Sequence, residues 1–199
     1  MNLDGVRGHG PSAVTDEARE SAVVVPVLYR HGEPHLLLTK RAEDLSNHPG
    51  QMSFPGGKRE PEDDSLEATA IREANEEIGL REEEMTFVGR LDDIRTVTRF
   101  SVRPFVVEIA DREYEPCDDE VAEVAVLSIA ELTDLKNYHS ERRDHPHYGD
   151  IRLHYFYVDG FTVWGATANM LVQFLTLTTD WEMPPEADQE VESDADYPV

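Results

Sequence analysis

Basic residues are scarce: 18 Lys and Arg stand against 42 Asp and Glu among 199 residues, a formal net charge of −24. A surface this acidic repels nucleic-acid phosphates and anionic membranes, so neither is an expected partner. Cysteine is nearly absent, and the single Cys117 excludes an intrachain disulfide and fits a reducing compartment. Its neighbours Pro116, Asp118 and Asp119 read as a loop in which acids disfavour a thiolate. Long apolar runs are also missing. No stretch approaches the roughly 18 residues of a membrane helix, and the opening MNLDGVRGHG lacks a signal-peptide core, so the expected location is cytoplasmic. The acid excess suits a salt-rich, halophilic cytoplasm, where self-repulsion is screened within about 3 Å at 1 M salt. A polyanionic ligand would then have to be drawn in by metal and a few local cations, against the field of the whole chain.

The length suits one domain with a substantial core. Residues 1–20 and 182–199 are too poor in apolar groups to offset their ordering entropy and are expected as tails, the second acidic and disordered, around a domain at 21–181. Within that domain Ala22–Tyr29 and His35–Thr39 read as a hairpin around Gly32, with Pro26 requiring an edge or bulge. Further strands are expected at Met85–Leu91, Val102–Ile109, Val121–Leu127 and Ile151–Val158. Helices are expected at Ser65–Ile78 with Ser65 as cap, at Ile129–Leu135 after Ser128, and at Ala166–Thr178. Strands before and after a central helix, with another helix at the end, predict an α/β class: an α/β/α sandwich around a mixed β-sheet. The segment HSERRDHPHYG carries His139, His145 and His147, but Pro146 and the lack of regular ligand spacing favour a polar surface loop over a metal site.

The most informative stretch is residues 56–80, GGKREPEDDSLEATAIREANEEIGL. At about 100° per helical residue, Glu73, Glu76 and Glu77 share one arc, because i, i+3 and i+4 are surface neighbours. Ile71, Ala74 and Ile78 point the other way, so one helix offers a core stripe and an acid face. Carboxylates so close repel unless a cation screens them, and Mg2+ accepts one or two carboxylates with waters and phosphate oxygens. In so acidic a chain glutamate clusters also arise as plain solvated surface. Charge alone does not account for the Gly56-Gly57 turn, Arg72 beside the first glutamate, or the Gly79-Leu80 stop.

Arg72-Glu73-Ala74-Asn75-Glu76-Glu77-Ile78-Gly79-Leu80 resembles the second half of the Nudix box, G-x5-E-x7-R-E-U-x-E-E-x-G-U. Counting back eight from Arg72 reaches Asp64 where the box has Glu, Gly57 lies one residue too far upstream, and Ala74 replaces a bulky aliphatic. Upstream, Leu37-Leu38-Thr39-Lys40-Arg41-Ala42, Gly50 and Phe54-Pro55-Gly56-Gly57-Lys58 resemble the extra signature of the coenzyme A pyrophosphatase branch, with Ser46 where that signature has Arg. Trp164-Gly165-Ala166-Thr167-Ala168 is similar to the start of that branch's last helix. Trp164 itself reads either as a core residue at a helix entry or as a stacking platform.

The resemblance implies the Nudix-type α/β/α fold and metal-dependent hydrolysis of a diphosphate, with Mg2+ or Mn2+ as cofactor and a small-molecule nucleotide as substrate. It implies Glu73 and Glu77 as direct metal ligands, Glu76 as ligand of a second metal or activator of water, and the Gly56 carbonyl as a further ligand. Glu76, Glu73 and Arg72 are the expected catalytic residues, Arg72 either orienting a glutamate through a bidentate pair or touching phosphate. Lys40, Arg41, Gly57, Lys58, Arg95 and Arg99 are candidate substrate contacts, although Lys40 and Arg41 also fit a simple strand-end surface pair. By the same resemblance the substrate is coenzyme A, cleaved to 3',5'-ADP and 4'-phosphopantetheine. The loss of Arg at position 46 leaves ADP-ribose, a nicotinamide dinucleotide or a diadenosine polyphosphate open, and a binding module without turnover stands as the non-enzymatic alternative. The sequence leaves a homodimer open.

Overall fold

A computed structural model describes residues 1–45, 48–96, 98–145 and 149–192. A short helix α1 (Asp4–Arg7) precedes the hairpin of β1 (Arg19–Arg30) and β2 (Glu33–Arg41), followed by β3 (Met52–Ser53), β4 (Gly56–Lys58) and α2 (Leu66–Ile78). Next come β5 (Thr86–Arg90), β6 (Ile94–Arg95), β7 (Phe100–Glu108), β8 (Val121–Ser128) and α3 (Ile129–Leu132). The chain continues through β9 (Tyr138–His145), β10 (Gly149–Val158), β11 (Phe161–Trp164), α4 (Gly165–Thr178) and β12 (Gln189–Val191).

The first sheet runs β3-β2-β1-β7-β5, with β4 also on β1, β6 on β7 and β8 on β2. Its β1–β7 pair is parallel and its other pairs antiparallel, so the sheet is mixed. Ala22–Leu28 are buried without a break because β1 is covered on both faces. The strand period of two divides those side chains between two cores. Ala22, Val24 and Leu28 pack with Leu66, Ala70, Ala74 and Ile78 of α2, whereas Val23, Val25 and Val27 pack with Ala168, Leu171, Phe174 and Leu175 of α4. The result is the expected α/β/α arrangement, helix on either side of a mixed sheet. The hairpin turn is formed by His31 and Gly32, both at positive φ (53° and 87°), as a two-residue turn between right-twisted strands requires. Pro26 lies between the β4-paired and β2-paired parts of β1, where its missing N–H leaves no ladder bond unmade.

Sequence reading missed a second sheet, β11-β10-β9-β12. The HSERRDH stretch expected as a surface loop is strand β9, paired with β10 over Tyr138–His145. Its buried positions are polar, which hid the strand from a search for apolar alternation. Glu141 and Arg143, both buried, pair at 3.0 Å, and Glu141 also accepts from Tyr155 Oη at 3.2 Å and Gln189 Nε2 at 2.8 Å. His139 lies on this strand, 3.6 Å from Asp188; the His145 side chain, Pro146 and His147 fall outside the described residues. Both segments assigned to tails carry packed elements. Leu3 and Val6 are buried against the α4 core, and Arg152 donates to the carbonyls of Pro184 and Glu186, both at 2.7 Å, ahead of the β12–β9 pairing. A few anchoring contacts suffice to order segments whose average composition is polar.

His154, buried on β10, sits 2.7 Å from the Tyr138 hydroxyl. Burial, reinforced by Arg152, pushes its pKa down to about 4. The folded protein therefore keeps a neutral ring where the unfolded chain, titrating near 6.5, takes up a proton. The stabilisation is complete above pH 6.5 and is lost as pH falls toward 4. We expect the stability of His154→Asn relative to wild type to improve by roughly 2 kcal/mol between pH 7.5 and pH 5 in urea titrations. An unchanged difference would mean that His154 protonates freely in the folded state.

Candidate active site

Ser65, in extended backbone, starts α2 by accepting the Ala68 N–H at 3.0 Å, and Gly79 ends it at φ 62° with N–H groups returned to the last turn. With Ala70, Ala74 and Ile78 committed to the sheet, Arg72, Glu73, Glu76 and Glu77 are left on the remaining faces. β4 lies against this helix and pairs with β1 through Val23↔Gly56, Ala22↔Gly57 and Ser21↔Lys58. A Cβ on Gly57 would stand 2.4 Å from the Glu73 carboxyl carbon, and one on Gly56, at φ 151°, 2.3 Å from the Ala22 carbonyl oxygen. Glycine at 57 lets the strand backbone lie directly on the Glu73 carboxylate, and glycine at 56 lets it lie close against β1.

Glu77 is buried at 4% exposure, and its Oε2 accepts the Gly56 N–H at 3.1 Å. Burial pushes its pKa up to about 8, against the Gly56 hydrogen bond, with Glu73 and Asp118 adding repulsion and Arg41 opposing it from a distance. Glu73 is half-buried and also raised, by burial first, while Arg72 pulls it down. Glu76 is exposed and held by Arg72 Nη1 at 3.0 Å. Arg72 Nη2 also reaches Glu73 at 3.1 Å and the Lys58 carbonyl at 3.1 Å.

The principal partner of Arg72 is Asp63. Its two carboxylate oxygens accept from Arg72 Nε and Nη2 at 3.0 and 3.1 Å, and it also accepts the Glu60 N–H and the Thr69 hydroxyl at 2.9 Å each. The guanidinium holds Asp63 well below the usual carboxylate range, and Asp63 in turn holds Arg72 above its own. Asp64, reached by counting back from the helix, is exposed. Asp63 stands six positions after Gly57, the spacing of G-x5-E, so with Asp63 as the clamp the extra residue of the loop follows the acid.

Among the described residues no three His, Cys, Asp or Glu side chains converge as a metal cluster. Glu76 is drawn aside by Arg72, so the converging acids are Glu73 and Glu77, at one helical turn's spacing beneath a glycine backbone. Two carboxylates with elevated proton affinity fit the donor set of a divalent cation that keeps several waters and binds phosphate oxygens.

The structure separates the other expected contacts. Lys40 lies 3.3 Å from Glu43, Arg41 lies 3.4 Å from Glu120, and Arg95 is held by Asp16 and Glu17 at 2.7 Å each. Arg99 is exposed at φ 61°. Trp164 stacks on Tyr155 at 6.4 Å as it enters α4. Ser46 lies outside the described residues. Sequence reading missed Asp118 and Glu120, whose charges reach Glu77 and Glu73 from the loop before β8; no local motif marks them. A cleft of about 530 Å3 lies between the starts of β1 and β7 and the segment after β4, with Arg19, Lys58 and Arg59 as well as Glu20, Glu60 and Asp63 in its lining.

The profile of the NUDIX domain matches residues 18–148. The uncharacterized Nudix hydrolase NudL of Enterobacter sp. (strain 638) is 40% identical over 157 residues, covering 77% of this chain and 79% of the relative. Its counterpart from Pectobacterium atrosepticum is 36% identical over 168 residues, covering 82% and 85%. A MutT/nudix family protein from Enterococcus faecalis has the same fold at a TM-score of 0.50 and 14% identity, over 82% of this chain and 61% of that one. With the acid-faced helix, its glycine strand and these matches in hand, the chain belongs to the Nudix hydrolase family. It is an enzyme, a pyrophosphohydrolase of nucleotide-derived substrates. No helix among the described residues is long and apolar enough to cross a membrane.

Proposed function

We propose that this enzyme cleaves the diphosphate of a nucleoside diphosphate joined to a second moiety, of the ADP-ribose, nicotinamide dinucleotide or diadenosine polyphosphate type. The observation that carries the site assignment is the buried Glu77 beside Glu73, with the Gly56-Gly57 backbone against them and no ion-pair partner for Glu77 among the described residues. Glu73 and Glu77 would hold Mg2+ or Mn2+, which when bound neutralises the diphosphate and lowers the pKa of water. Arg72, clamped by Asp63, orients Glu73 and Glu76 and keeps a fixed positive charge beside them. Glu76, exposed and held by Arg72 Nη1 at 3.0 Å, would be the acid that takes a proton from an attacking water, a role that requires it to turn from Arg72 toward the other two glutamates. The burial of Glu77 excludes bulk water from its side of the cradle.

Coenzyme A is the second reading, supported by the Leu37–Ala42 and Phe54–Lys58 sequences and weakened by Ser46. Incubation with Mg2+ or Mn2+ in concentrated KCl, with products identified by mass spectrometry, separates the two. Cleavage of ADP-ribose or dinucleotides ahead of coenzyme A is expected. Preferential release of 4'-phosphopantetheine would replace the first reading with the second, and turnover of none of them would refute both.

A further inference from the structure

Residues 9–17 precede the stretch that matches the NUDIX profile and form neither helix nor strand, yet they are fastened repeatedly to the first sheet and its turns. His9 lies 2.9 Å from Asp92, whose carboxylate also accepts the Ser12 N–H at 2.7 Å. The Ser12 carbonyl accepts the Asp93 N–H at 2.9 Å, the Val14 N–H donates to the Asp93 carboxylate at 3.1 Å, and the Val14 carbonyl accepts the Ser101 hydroxyl at 3.3 Å. Asp16 and Glu17 then grip Arg95 at 2.7 Å each. Both aspartate anchors are themselves held: Gln173 of α4 donates to Asp92 at 2.7 Å, and Arg103 binds buried Asp93 through two bonds of 2.9 and 2.8 Å.

This strap ends where the 530 Å3 cleft begins. Ala18, Arg19 and Glu20 follow it directly into the cleft lining, and Phe100 joins them from the start of β7. Ser101 pairs with Glu20 on one side and with Arg95 on the other, so Arg95 stands one strand behind that wall. Arg19 donates to the Thr98 carbonyl, which ties the start of β1 to the chain between β6 and β7. The rest of the lining comes from the segment after β4 and includes Asp63, the acid that clamps Arg72. What fixes Arg95 therefore steadies one wall of an opening whose other wall carries the clamp of the catalytic helix.

We propose that residues 9–17 are a strap that sets the width of this cleft for the substrate's nucleotide, with Asp16 and Glu17 as positioning residues that act through Arg95. The inference rests on the hydrolase reading above and adds to it a device that lies outside the matched family domain. Two carboxylates on one guanidinium leave it little freedom to rotate, because each charge-assisted hydrogen bond fixes the planar fork in a further direction. Without them the last hold of the strap ahead of the cleft is Val14, and the start of β1 loses its tether to β6.

Two measurements on the double variant Asp16→Asn, Glu17→Gln test it: limited trypsin digestion read by mass spectrometry, and calorimetric binding of ADP with Mg2+ at one fixed KCl concentration. ADP is the part shared by every substrate named above. Cutting after Arg95 or Arg99 is expected to rise severalfold while cutting after exposed Arg142 on β9 stays unchanged, and ADP should bind roughly threefold more weakly. Removing two negative charges would by itself favour an anion, so this weakening has the sign opposite to a simple field effect. The variant Asp16→Glu, Glu17→Asp, which keeps both charges, should recover part of each change. Digestion at Arg95 and Arg99 that matches wild type, ADP binding that is unchanged or tighter, or a wild type that binds no ADP would overturn the strap's role. Digestion needs no ligand, so a strap that fails is told apart from a hydrolysis panel that fails.

Discussion

Replacing Glu77 by Gln should lower kcat/KM by two orders of magnitude or more while making the metal-free protein more stable. The two effects have one cause. Gln is nearly isosteric and its amide oxygen can still accept the Gly56 N–H, so the change removes a buried charge and little else. The carboxylate of the folded protein ionises near pH 8, whereas in the unfolded chain it ionises near 4.5. Below pH 4.5 both states are protonated and Glu77 costs nothing. As pH climbs toward 8 the unfolded state ionises first, and the fold loses on the order of a few kcal/mol, all of it lost above pH 8. Glu77→Gln should therefore outlast wild type in EDTA at pH 8.5, and Mg2+ should stabilise wild type far more than the variant. Thermal unfolding with and without Mg2+ measures both. A variant that kept full activity, or that was weaker than wild type in EDTA, would contradict the site.

Asp63 should matter where Asp64 does not. Asp63→Asn leaves Arg72 without its bidentate acceptor and turns an amide N–H toward donors from Glu60 and Thr69. Breaking a buried pair from one side costs about 3 kcal/mol, and the loosened guanidinium no longer fixes Glu73 and Glu76, so kcat should fall about tenfold to a hundredfold. Because Asp63 is a positioning residue, the Mg2+ concentration for half-maximal rate should rise as kcat falls, and Asp63→Glu should recover part of both. Asp64→Asn, at an exposed position, should change stability by no more than about 0.5 kcal/mol. Equal effects at the two positions would return the role to the residue that backward counting selects.

The difference between those neighbours shows where local reading stops. Backward counting assumes a loop of standard length, and only the folded loop reveals that its extra residue follows the acid. Strand β9 was hidden for a related reason: its inward positions, Glu141 and Arg143, satisfy each other along one face of the same strand, and a pattern search scores them as solvent-facing. The basic residues follow the same rule. Arg95 is as conspicuous in the sequence as Arg19, yet Asp16 and Glu17 claim it.

The amino-acid order alone determined the α2 helix, its Ser65 and Gly79 ends, the acid face built on i, i+3, i+4 spacing and the period of two that lets β1 serve two cores, since each depends on bonds and angles within a few residues. Tertiary structure alone decided which acid clamps Arg72, how deeply Glu77 is buried and hence how firmly it holds a proton, and which cations stay unpaired. Those properties depend on groups dozens of residues apart, brought together when β4, α2 and the loop before β8 pack on one sheet.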